Sequence, residues 1–147
     1  MFGKIVFISD TEAHVKIAAE GGLNTNIMNM HVVFEDGDKK VLGEVEDIND
    51  EIIKIRFLGE ITNVKFIGGV IRKPTFNASL RLITPEEVGM LVGEDTPSTF
   101  VLGDSPLYEG NKIRVDINDL FSSHMAIFGN SGSGKSCGVA RLLQNVF

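Results

Sequence analysis

The 147 residues predict a mainly β chain: a small N-terminal β-barrel over residues 1–122, then the first strand, loop and helix of an α/β domain over 123–147. Three observations carry this. Short runs with an apolar residue at every second position recur as far as Ile117, and turn residues separate them. At residue 125 the pattern changes to a four-residue apolar run, a glycine-rich loop and a stretch of helical period.

The strands follow in order. Lys4–Ser9 is the first, and Val15 and Ile17 alternate with His14 and Lys16 in the second. A side-chain period of two is that of a strand with one buried face. Gly21 to Met30 carries Asn24, Asn26 and Asn29 with flanking glycines and reads as an exposed loop. Asp36-Gly37-Asp38 between His31–Glu35 and Lys39–Asp47 is a hairpin signal, and Asn49-Asp50 makes the next turn. Ile53, Ile55 and Phe57 alternate with Lys54 and Arg56. A strand is expected over Ile61–Ile67, with Gly68-Gly69 as a bulge or corner after it. Ser79–Thr84, Thr99–Leu102 and Ile113–Ile117 complete the set. Eight or so short strands at turn-marked spacing point to a small closed barrel or sandwich. Thr84-Pro85-Glu86-Glu87 breaks the rhythm: a cap, a first-turn proline and a capping-box glutamate in register open one short helix that ends near Gly93.

Residues 129–136 read Gly-Asn-Ser-Gly-Ser-Gly-Lys-Ser and complete the pattern G-x-x-x-x-G-K-[ST]. Glycines let the backbone curl and turn N–H groups onto a phosphate. Lys135 is a mobile point charge for β- and γ-phosphates, and the Ser136 hydroxyl is placed to ligate Mg²⁺. Met125-Ala126-Ile127-Phe128 reads as the buried strand that feeds the loop. Val139, Leu142, Leu143 and Val146 sit at helical spacing after it, so a phosphate would meet a helix N-terminus. The binding residues are then Gly129, Asn130, Ser131, Gly132, Ser133, Gly134, Lys135, Ser136 and Cys137; Lys135 is also the catalytic candidate and Ser136 the metal ligand. The bland reading is a flexible Gly/Ser linker with an incidental lysine. The pattern arises by chance on the order of once in 200 chains of this length, and the flanking strand and helix patterns speak against chance.

Composition narrows the classes. With 43% apolar residues the chain has material for a core, and its net charge of −6 argues against a nucleic-acid coat. All 20 acids and 12 of the 14 basic residues lie in residues 1–124, while 125–147 hold Lys135 and Arg141 and no acid. A segment that meets polyphosphate gains from that bias. Cys137, the one cysteine, cannot form an internal disulfide and suits a reducing cytoplasm; its ordinary role is a small buried helix residue. No targeting or membrane-spanning run appears, so a cytoplasmic protein is expected, with no membrane partner.

Other chemistry-bearing residues read as structural. His14, His31 and His124 have no metal-ligand spacing, although His124 stands just before the strand that leads to the loop. Glu44, Glu46, Asp47, Asp50 and Glu51 read as solvated strand faces. Lys65, Phe66, Arg72 and Lys73 form a thin basic-aromatic cluster, more often surface than a nucleic-acid site, and Arg141 is expected to be exposed.

A barrel, then Leu102-Gly103, Ile113-Arg114-Val115-Asp116-Ile117 and Leu120, then His124 through Ser136, resembles the start of HerA-like ATPases, hexameric translocases related to FtsK. The resemblance covers the chain in layout and is sharp over 102–136. It implies a HAS-barrel-like N-terminal domain that serves ring assembly and partner docking, and the start of a truncated RecA-like core. It implies ATP and Mg²⁺ as cofactors, a homo-hexamer, double-stranded DNA moved through the rest of the core, and a nuclease or defence effector as partner. Asn130-Ser131 departs mildly from the Ser-Thr or Ala-Thr of many relatives. The Walker B acid, water-positioning group and arginine finger lie outside these 147 residues, so the chain alone is expected not to turn over ATP. Strand 125–128 would also lack its parallel neighbours. The competing readings are a non-enzymatic assembly or adaptor module, and a rotary-ATPase subunit, in which a barrel also precedes a phosphate loop.

Overall fold

A computed structural model describes residues 2–18, 26–63, 65–122 and 124–146. By packing the chain divides into two units, residues 1–87 and 88–147.

The first unit is one antiparallel sheet that curls into a half-barrel. Its strands are β1 (Phe2–Ile8), β2 (Glu12–Ile17), β3 (His31–Asp36), β4 (Lys39–Asn49), β5 (Ile52–Ile61), β6 (Phe66–Gly68) and β7 (Ser79–Leu82). The order is β1-β2-β5-β4-β3-β7, with β6 also on β5. The mainly β expectation holds. The two hairpin signals work as read. Gly37 takes φ +63° in the turn that sets Asp36 opposite Lys39, and Asp50 takes φ +52° in the turn that sets Asn49 opposite Ile52.

The period of two fills the core. Ala13 and Val15 of β2, Val32 and Phe34 of β3, Val41 and Val45 of β4, and Ile53 and Ile55 of β5 are buried together. Phe34 meets Phe57 edge-on, ring centroids 5.5 Å apart. Val33 and Leu42 face each other across the β3–β4 ladder and are fully buried outside that cluster, so these strands are covered on both faces. The β4–β5 ladder shifts register after Leu42 and again after Val45. Bulges add local twist and let a sheet coil. At Gly43 the strands are too close for a side chain: a Cβ there would stand 2.5 Å from Ile55 Cγ2. On the outer side Glu44 pairs with its ladder partner Arg56 at 2.8 Å, and the bulged Glu46 pairs with Lys54 at 3.2 Å.

Two expectations need correction in this unit. Ile61–Ile67 is not one strand, because Thr62 turns the chain: its amide donates to Lys65 O at 3.0 Å and its hydroxyl to the same oxygen at 2.8 Å. In the expected loop Gly21–Met30, residues 21–25 lie outside the described residues; of the rest, Ile27 is fully buried in the core rather than exposed.

The helix α1 (Pro85–Val92) begins and ends as its sequence predicts. Glu87 N donates to Thr84 Oγ1 at 3.3 Å and Thr84 N to Glu87 Oε2 at 3.0 Å, a reciprocal capping box. Gly93 ends it at φ +87°. Glu87 does more than cap. Arg81 of β7 donates to both its oxygens at 2.7 Å and to Glu35 of β3 at 3.0 Å, and Lys40 of β4 adds a bond at 3.3 Å.

In the second unit β8 (Thr99–Asp104) and β9 (Lys112–Asp116) form a two-stranded sheet, followed by α2 (Ile117–Ser122) and α3 (Lys135–Val146). The α2 helix, which the sequence reading leaves as strand end and linker, is capped by Asp116: its Oδ1 accepts from Asn118 N at 2.8 Å and Asp119 N at 3.2 Å. The Ser98 hydroxyl on the other oxygen, with these amides, holds the Asp116 carboxyl below its ordinary range. Among the described residues no helix is long and apolar enough to cross a membrane.

The Arg81 guanidinium, outweighing the desolvation that opposes it, pulls the Glu87 carboxyl down to about 2. A lowered folded-state value means that the folded chain binds fewer protons than the unfolded one in acid. The stabilisation is therefore complete above about pH 4.5 and fades as pH falls towards 2. Glu87→Gln should cost about 2–4 kcal/mol at pH 7 by leaving Arg81 with Glu35 as its one carboxylate partner. In urea unfolding followed from pH 7 to 2.5, the gap between the two proteins should shrink with acid; a constant gap, or none, contradicts this assignment.

Candidate functional site

The phosphate-loop residues all lie in the second unit. The segment 124–130 leads into the loop without regular secondary structure. The buried strand expected at Met125–Phe128 is therefore not formed: Phe128 is 90% exposed, and Met125 and Ile127 are exposed as well. A strand needs ladder partners for its N–H and C=O groups, and among the described residues none pairs with this segment.

The loop is built nonetheless. Gly132 at φ +80° and Gly134 at φ +83° take the left-handed conformation that a side chain would disfavour. Ser133 N donates to Asn130 O at 3.2 Å and closes the turn. At Gly129 a Cβ would stand 2.4 Å from Ser133 Oγ, so a larger residue there obliges the Ser133 side chain to move. The α3 helix starts at Lys135, and its first bond from outside runs from Gly138 N to Gly134 O at 2.8 Å. Among the described residues no backbone carbonyl accepts from the amides of Lys135, Ser136 and Cys137. These are orphan donors at the positive end of a twelve-residue helix.

Lys135 folds back over the loop. Its Nζ donates to Gly129 O and to Asn130 O, each at 2.7 Å. The ammonium thus ties the first turn of the loop to the first turn of the helix. Asn130, Ser131, Gly132, Ser133, Gly134 and Ser136 are exposed around it. Cys137 is exposed too, against its expected burial, because α3 turns a wide side to solvent. Val139, Leu142 and Val146 are half-buried, Leu143 and Arg141 are exposed, and Asn145 Nδ2 donates to Val101 O of β8 at 3.3 Å. His124 is exposed before the loop.

Chemically this arrangement accepts a multiply charged oxyanion. Free amides at a helix start, one ammonium held by exchangeable carbonyl bonds and the exposed Ser136 hydroxyl match the donor set that phosphate and a phosphate-bound cation require. The residues fit such a group, and no acid stands in residues 125–147 to oppose it.

Residues 75–147 match the model of the family described as helicase HerA, central domain. No curated protein gives a match to the chain. The family match includes β8, β9, α2, the loop and α3, together with β7 and α1 before them.

Adding a methyl group to Gly129 tests the loop directly. Gly129→Ala has to displace Ser133, an overpacking of about 1–3 kcal/mol, so triphosphate affinity should fall roughly tenfold. Calorimetric titration reads this, and unchanged affinity would show that the loop does not bind in the form described.

Proposed function

From the premise that this chain belongs with the HerA-like ATPases over residues 75–147, we propose that it is part of an ATP-driven, ring-forming DNA translocase or helicase. The family supports nucleotide use in general. The observation that carries the finer reading is the loop itself, with its two left-handed glycines and three orphan amides at the start of α3. In this reading Gly129 to Cys137 hold the phosphates of ATP, Lys135 binds the β- and γ-phosphates, and Ser136 ligates Mg²⁺. Bound Mg²⁺ would neutralise charge on the transferred phosphoryl group.

Residues 1–122 serve ring assembly and docking of a nuclease or defence effector, and 123–147 begin the ATPase core. The ring is a homo-hexamer that works on double-stranded DNA in the cytoplasm. Hydrolysis needs an acid to orient water and charge stabilisation from further groups, and residues 125–147 carry neither Asp nor Glu. The 147 residues therefore bind Mg-ATP without turning it over.

Two measurements on the purified chain test this. Mg²⁺-dependent binding of a fluorescent ATP analogue should be present and should fall at least about tenfold in Lys135→Ala, as expected for loss of a charge-assisted contact. Absence of such binding sinks the nucleotide reading. Steady phosphate release that Lys135→Ala abolishes sinks the claim of inactivity.

A further inference from the structure

We draw no further inference here: the strongest candidate, the exposed apolar run of Met125, Ile127 and Phe128 on the segment that leads into the phosphate loop, belongs to the site already described, and nothing in the structure shows what covers it.

Discussion

Every extended segment of this protein answers to one constraint: a strand's N–H and C=O groups need partners on the strands beside it. The first unit meets it by curling seven strands into one antiparallel sheet, with β5 paired to three neighbours. The β4–β5 ladder carries one extra residue on each strand, Leu58 on β5 and Glu46 on β4, and Gly43 lies beside the first of them, where a Cβ would meet Ile55. At Met125–Phe128, which has no partner among the described residues, the same kind of apolar run takes no regular form and leaves Phe128 in solvent. Hydrophobicity selects segments able to become strands; pairing decides which of them do.

Charge is used sparingly but with a clear division. Exposed pairs such as Glu44–Arg56 complete the outer face of the sheet and contribute little each. Glu87 is different, being 5% exposed and bonded by groups from β4, β7 and the start of its own helix. Removing it leaves Arg81 short of its main partner, so one carboxylate joins a helix cap to three-strand cohesion.

Local signals were legible and non-local ones were not. The hairpin at Gly37, the capping box at Thr84–Glu87, the helix stop at Gly93 and the phosphate loop are all written within a few adjacent residues, and each appears where its residues put it. The α2 helix had a readable signal in Asp116 followed by Asn118 and Asp119, which the strand-like alternation of Ile113, Val115 and Ile117 masked. The break at Thr62 depends on a side-chain bond to Lys65 that an apolar pattern does not register. Exposure of Cys137 and Phe128, and the shielding of Lys39 Nζ, depend on which segments lie nearby in space. Of the candidate site, then, the residues were legible and their surroundings were not.

The two hydrogen bonds from Lys135 Nζ to Gly129 O and Asn130 O hold the loop in shape without any anion. The Lys135 ammonium keeps a third N–H and its full charge, so an incoming anion is drawn to it while the two carbonyls still hold it. On the nucleotide reading proposed above, a polyphosphate would reach the orphan amides and the ammonium together.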